Sequence, residues 1–289
     1  MFTGAKKVFM REIQASDITE TVSRLCKEAN FMLGEDVYAA IESGIAREES
    51  PIGREILGEL LENAQIARTE RVPMCQDTGF AVVFLEIGQD VHIAGGYLED
   101  AVNAGVAQGY DEGFLRKSIV RHPLDRVNTG DNTPAVIHTK MVPGEKIRIV
   151  VAPKGGGSEN MSAVRMLKPS DGMDGVADFV LETVKKAGPN PCPPIIVGVG
   201  MGGTMEIAAV LAKKSLLREV GSRNRNPEDA ELESKLLHMI NKTGIGPAGL
   251  GGRVTALAVN IEAYPCHIAS LPVAVNIQCH AARHREAVL

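Results

Sequence analysis

The sequence contains no tryptophan, and Phe, Trp and Tyr together make up only 4% of it. That scarcity argues against surfaces that stack nucleobases or sugars on aromatic rings. Positive charge is not in excess: 31 Lys and Arg stand against 36 Asp and Glu, a formal net charge of −5. No basic tail or stripe breaks the balance, so nucleic acid is not an expected partner. Apolar runs such as Phe80–Leu85 and Pro193–Val199 fall far short of the ~20 residues that span a bilayer. The first fifteen residues, MFTGAKKVFMREIQA, lack the apolar stretch and small-residue cleavage site of a signal peptide. A cytoplasmic protein with no membrane attachment is expected. No C-x-x-C pair occurs among the five cysteines, which argues against zinc ribbons and thioredoxin-like redox chemistry. Their odd number, without a secretion signal, also argues against a disulfide framework.

What remains is a chain of 289 residues, 44% apolar and 23% charged, long enough for a sizeable core. Ile18, Val22, Leu25, Cys26 and Ala29 recur on one helical face, after Ser16 and Asp17 as candidate N-caps. Ser50 and Pro51 open a second helical stripe through Ile52, Ile56, Leu60 and Ala64. Beyond residue 68 the pattern changes. Phe80–Ile87, Ala135–Thr139, Ile147–Val151, Pro194–Val199, Val254–Ile261 and Val273–Ile277 read as strands. Leu98–Gln108, Gly172–Lys186, Met205–Leu217 and Ala230–Ile240 read as helices. The expected fold is mixed α/β in a single unit, 1–289. A helical N-terminal layer (1–68) is followed by mixed β-sheets with packed helices (69–289).

Glycine is abundant, 30 residues, and clustered at 155–157, 198–203 and 244–252. Such clusters mark close backbone approach or positive φ. Gly198-Val199-Gly200-Met201-Gly202-Gly203 fits G-x-G-x-x-G after an apolar strand, the form of a dinucleotide-binding turn. The second strand ending in an acidic residue about 20 positions on is missing, because that region reads as a long helix and a polar loop. The favoured expectation is a loop offering backbone N–H groups to some other anion. Tight strand–helix packing is the plainer alternative. Lys154-Gly155-Gly156-Gly157-Ser158-Glu159 follows a strand and reads either as an N–H nest for a carboxylate or as a surface turn.

Cys26 lies on the helical stripe and reads as a small buried hydrophobe. The other four sit on irregular stretches: Cys75 in PMCQDTG, Cys192 in PNPCPP, Cys266 in YPCHIAS and Cys279 in NIQCHAARH. Thiolates on such backbone near strand ends can converge on a metal, and soft sulfur ligands favour iron–sulfur clusters or zinc. The spacing alone does not choose among the four.

At these residues the sequence resembles a known family. CQDTG (75–79), LRKS (115–118), KGGGSE (154–159), NPCPP (190–194), GVGMGG (198–203) and CHIASLPVAVNIQCHAARH (266–284) together resemble the α subunit of class I fumarate hydratases. The α subunit of L-tartrate dehydratase is the close relative. The resemblance implies an oxygen-sensitive [4Fe–4S] cluster held by three cysteines, which match Cys75, Cys192 and Cys279. The fourth iron stays open as a Lewis acid for the substrate. It further implies that Gln76, Asp77, Gly157 and His267 line the substrate pocket, with Asp77 and His267 taking part in catalysis. Arg116 offers a planar fork for a substrate carboxylate; without the resemblance it reads as a solvated charge near a helix end. Single-chain members continue into a second domain, whereas this chain stops at Leu289. A separate β subunit carrying the catalytic base, in an α2β2 assembly, is therefore expected.

The activity expected first is reversible hydration of fumarate to L-malate, a step of the tricarboxylic acid cycle. L-Tartrate dehydration is expected second. From other classes, a nicotinamide-dependent dehydrogenase built on Gly198–Gly203 and a non-catalytic cluster- or zinc-binding scaffold stay open.

Overall fold

The computed structural model describes residues 10–289. The first nine, part of the segment read above for a signal peptide, lie outside the described residues. The described chain opens with β1 (Arg11–Gln14), α1 (Ala15–Phe31), α2 (Glu35–Arg47) and α3 (Pro51–Glu70). Next come β2 (Phe80–Gly88), β3 (Val91–Ala94), α4 (Leu98–Glu112), β4 (Val136–Val142) and β5 (Ile147–Lys154). A single turn, α5 (Gly156–Glu159), leads to β6 (Ala163–Leu167), α6 (Gly172–Ala187), β7 (Ile195–Gly202) and α7 (Met205–Ser215). The chain ends with α8 (Pro227–Asn241), β8 (Ala256–Tyr264), β9 (Leu271–Gln278) and β10 (Arg285–Val288). The fold is mixed α/β, as expected. Among the described residues, no helix is long and apolar enough to cross a membrane.

The chain forms two compact units. The first takes the chain up to Met32, then Arg71–Lys154 and Arg283–Leu289. The second takes Leu33–Glu70 and Gly155–Ala282. The N-terminal helices are therefore shared out: α1 belongs to the first unit, α2 and α3 to the second.

In the first unit the strands run β10-β5-β2-β4, with β2 antiparallel to β5 and parallel to β4. The apolar face of α1 is the one its periodicity specifies. Ile18, Val22, Leu25 and Cys26 are fully buried and pack with Val102, Val106 and Tyr110 of α4 and Val83, Leu85 and Ile149 of the sheet. The helix starts one residue before Ser16, at Ala15, with Gln14 as N-cap and no side-chain cap. Burial pushes the Cys26 thiol up to about 12, against a small opposing pull from Lys27. A thiol with a raised pKa stays protonated until pH approaches that value, and only the thiolate is an effective nucleophile. In metal-free native protein at pH 8, Cys26 is expected to resist iodoacetamide while exposed Cys192 and Cys266 react. Mass spectrometry of the labelled peptides checks this, and alkylation of Cys26 at their rate contradicts it.

In the second unit the strands run β6-β9-β7-β8. β7 is parallel to β8 and antiparallel to β9. Along β7, Ile195, Val197 and Val199 point into a core shared with Val180 and Val184 of α6 and Leu236 and Ile240 of α8. The alternate positions, Gly198 and Gly200, face α7. A Cβ at Gly198 would lie 2.1 Å from the Ala212 carbonyl oxygen, and one at Gly200 2.0 Å from that of Ala208. The strand continues through these glycines, and α7 lies directly on the backbone they leave bare. Tight strand–helix packing therefore explains Gly198 and Gly200, and the expectation of an anion-binding loop there is corrected. The α2 end is tied to the same unit by Glu48, which accepts N–H bonds from Ser50, Arg253 and Val254. Ser50 caps α3 as expected, its hydroxyl accepting from the Gly53 amide at 3.2 Å.

Gly200→Ala is expected to destabilise the second unit by about 1–3 kcal/mol, the usual cost of overpacking a close-packed interior. Urea denaturation of the two proteins measures it. Unchanged stability would mean that α7 does not rest on this strand.

Candidate functional site

The candidate site residues divide between the two units. In the second, the antiparallel pairing of β7 with β9 sets Ile196 opposite Gln278. The turn that enters β7 and the turn that leaves β9 therefore lie at the same end of the sheet. The first carries Cys192 and the second Cys279. His280 Nδ1 lies 3.0 Å from the Cys192 carbonyl oxygen, so the two turns are in direct contact. Cys192 itself adopts φ 54, a left-handed conformation uncommon outside glycine. Such strained backbone is concentrated at functional sites.

The KGGGSE segment packs at this end as well. A Cβ at Gly157 would be 3.6 Å from the carbonyl oxygen of Asn190, two residues before Cys192. Glu159 accepts from Lys213 Nζ of α7, 2.7 Å to each oxygen, and from Asn276 Nδ2 of β9 at 3.1 Å. The Ser162 hydroxyl accepts from the Ile277 amide at 3.1 Å. None of Gly155, Gly156 and Gly157 has a positive φ. They begin the turn α5 instead of forming an N–H nest, which corrects that reading while leaving Gly157 exposed beside the Cys192 turn.

Cys266 and His267 lie elsewhere. They occupy the exposed loop between β8 and β9, where Tyr264 pairs with Gly202 and Gly203 N donates to the Pro265 carbonyl. That is the far end of β7, an eight-residue strand spanning about 26 Å at ~3.3 Å per residue. Both residues line a depression with Met173, Met201, Asp229 and Leu232. Within this unit His267 therefore lies at the opposite end of β7 from the Cys192 and Cys279 turns. Cys266 shares that position, apart from Cys192 and Cys279.

In the first unit, Cys75, Gln76 and Asp77 lie on the non-repetitive turn before β2, with Gln76 exposed and the other two half-buried. Asp77 Oδ1 accepts from the Gly79 amide at 3.0 Å, closing an Asx turn. Gly79 has φ 78, and a Cβ there would lie 2.7 Å from Lys154 N, so only glycine fits. The Thr78 hydroxyl donates to the Arg116 carbonyl at 3.0 Å. Arg116 itself is exposed on the irregular segment after α4, off the helix and joined to the CQDTG turn.

Three buried side chains hold this turn, and the sequence reading passed over all of them. Tyr110 Oη donates to the Thr78 and Gly79 carbonyls at 2.8 and 3.0 Å. Asn132 Nδ2 donates to the Gly79 carbonyl at 3.2 Å while its Oδ1 accepts from Ser118 N at 2.7 Å. Arg283 Nη2 donates to the Asp77 carbonyl. Arg283 had carried a signal, since it lies within the CHAARH motif.

The donor set suits an iron–sulfur cluster. None of the five cysteines is in a disulfide, and Cys75, Cys192 and Cys279 all sit on irregular backbone with their thiols at least partly accessible. Soft sulfur donors of this kind are the ones that hold iron–sulfur clusters. Among the described residues, no three His, Cys, Asp or Glu side chains converge as a single bound ion requires.

Comparisons with known proteins agree with these motifs. Residues 19–288 match the family model described as Fumarate hydratase (Fumerase). A Methanocaldococcus jannaschii protein named "Putative L(+)-tartrate dehydratase subunit alpha" is 47% identical over 92% of this chain and 95% of its own length. The L(+)-tartrate dehydratase subunit alpha of Escherichia coli strain K12 is 34% identical over 94% of this chain and 90% of its own. That of E. coli strain UTI89 is 35% identical over the same shares. With a family match spanning nearly all of its length, the chain belongs to the fumarate hydratase (Fumerase) family, as an α subunit of its class I hydro-lyases.

Proposed function

We propose that this chain is the α subunit of a [4Fe–4S] hydro-lyase that dehydrates L-tartrate, with Cys75, Cys192 and Cys279 as the cluster ligands. The observation that supports it most is the contact between the Cys192 and Cys279 turns at one end of the β7–β9 sheet. Tartrate is placed before fumarate because the relatives that cover nine-tenths of the chain bear that name. The fumarate reading, preferred from the motifs alone, becomes the second.

When bound, the cluster supplies an iron with an open position, a Lewis acid for the substrate hydroxyl and its neighbouring carboxylate. The chain's own residues bind and orient. Exposed Arg116 pairs with a substrate carboxylate through its guanidinium fork. Gln76 donates an amide N–H to the same dianion. Asp77 is ill suited to meet a carboxylate directly; with one oxygen engaged by the Gly79 amide, it orients the substrate hydroxyl. Gly157 lets substrate approach the backbone beside the Cys192 turn. Removing a proton α to a carboxylate needs a base, which a β subunit contributes, in an α2β2 assembly. His267 is left out of this set because of its place at the far end of the sheet.

The test is anaerobic co-purification of the chain with its β subunit, followed by kinetics on L-tartrate, L-malate and fumarate. A broad visible absorption with about four irons per αβ pair is expected, with the highest kcat/KM on L-tartrate and little turnover by the α chain alone. Arg116→Ala is expected to lower kcat/KM by about 1.5–3 kcal/mol, the worth of a charge-assisted contact, with iron content unchanged. Full turnover by β-free chain, or by a colourless iron-free complex, contradicts the proposal.

A further inference from the structure

Besides the Asx contact of Asp77, the CQDTG turn is held through its main-chain carbonyls. Three successive carbonyls, those of Asp77, Thr78 and Gly79, each accept from a buried side chain: Arg283, Tyr110, and Tyr110 with Asn132. Tyr110 and Asn132 are fully buried and Arg283 is 4% exposed. Asn132 also takes the Ser118 amide, two residues beyond Arg116, and stands at φ 64, a left-handed conformation that asparagine tolerates better than most residues. Thr78 closes the frame by donating to the Arg116 carbonyl. One buried hydrogen-bonded frame thus fixes both segments that carry Gln76, Asp77 and Arg116.

Arg283 is the unusual member. Its Nε and Nη1 are buried and have no acceptor among the described residues. Burying a guanidinium with one carbonyl as its hydrogen-bond partner is costly, and a fold needing only an apolar filler at this point would avoid it. Tyr110 stays a neutral donor, because burial pushes its hydroxyl well above the ordinary tyrosine range.

We propose that Arg283, Tyr110 and Asn132 are positioning residues of the hydro-lyase reaction. They act through the Asp77–Gly79 main chain to set the geometry of Cys75, Gln76, Asp77 and Arg116 before substrate arrives. The proposal rests on the hydro-lyase reading above. It follows from the general rule that reacting groups must be held rigidly by the residues behind them. Losing one donor leaves a carbonyl unmatched and lets the turn relax, while the side chains that touch substrate remain present.

The test uses the αβ complex, reconstituted anaerobically, with Tyr110→Phe, Arg283→Met and Arg283→Lys in the α chain. Phe keeps the ring that fills the core, so this variant reports on the hydroxyl even where Arg283→Met does not fold. Measured are iron per complex, kcat and KM separately, thermal stability, and the change that substrate causes in the EPR spectrum of the reduced cluster. The expected result is normal iron, KM within about twofold and kcat per cluster down by up to about a hundredfold. The substrate-induced EPR change is altered, and Lys at 283 restores part of the rate by donating again to the Asp77 carbonyl. Lower thermal stability or iron content with wild-type kcat per cluster would reduce the frame to a structural role and overturn the proposal. A raised KM with unchanged kcat would overturn it too, making these residues simple binding contacts. A wild-type complex that assembles no cluster overturns the hydro-lyase reading, and this inference with it.

Discussion

Because β9 runs antiparallel to β7 and pairs Gln278 with Ile196, the Cys192 and Cys279 turns meet at one end of a sheet. The two cysteines are 87 positions apart in sequence, and no local motif joins them. Backbone pairing does the joining, and the contact between His280 and the Cys192 carbonyl pins it. A slip of one residue in this ladder would also turn the apolar face of the strand away from the core. The register is therefore enforced by the whole hydrophobic face of Ile195, Val197 and Val199. Gly198 and Gly200 belong to the same constraint, since they let α7 lie on the opposite face.

The first unit solves a different problem. Its candidate site residues stand on irregular backbone, where no ladder can hold them. Function often sits on such segments, positioned by a rigid scaffold beneath. Here the scaffold is side chain to main chain: Tyr110 from α4, Asn132 from the loop before β4, and Arg283 from the segment before β10 reach the carbonyls of one turn. Helix α4 thus serves twice. Val102 and Val106 fill the core, and the next turn of the same buried face delivers a hydroxyl to the site.

Much of this was legible in the sequence where physics is local. The stripe of α1, the long strands β2 and β5, and the place of Cys26 in the core follow from periodicity and burial, whereas α3 buries Gly53, Leu57, Ala64 and Ala67 and leaves Ile52 of its expected stripe exposed. The short strands β1, β3, β6 and β10 did not show, because four or five residues carry too little alternation to stand out. The glycines of β7 were read as a loop because G-x-G-x-x-G opens helices in other folds. Only the presence of α7 on the strand reveals why side chains are absent there. Long-range pairing was the least legible. Cys279 and Cys266 have equal chemistry, each followed by a histidine, and the motif placed His267 beside the cluster ligands. The strand between them sets the two ends apart, and a strand's direction in a sheet cannot be read from its residues alone. Arg283 escaped notice because an arginine inside a motif read for its cysteine and histidine looks like surface charge until its burial is known.

The most direct test of this account compares Cys279→Ser with Cys266→Ser in the anaerobically reconstituted αβ complex. Iron and acid-labile sulfide are quantified for each. The account expects Cys279→Ser to lose the cluster and Cys266→Ser to keep wild-type iron and sulfide, since Cys266 lies at the far end of β7. A full cluster in Cys279→Ser, or its loss in Cys266→Ser, would contradict the assignment drawn from the β7–β9 register.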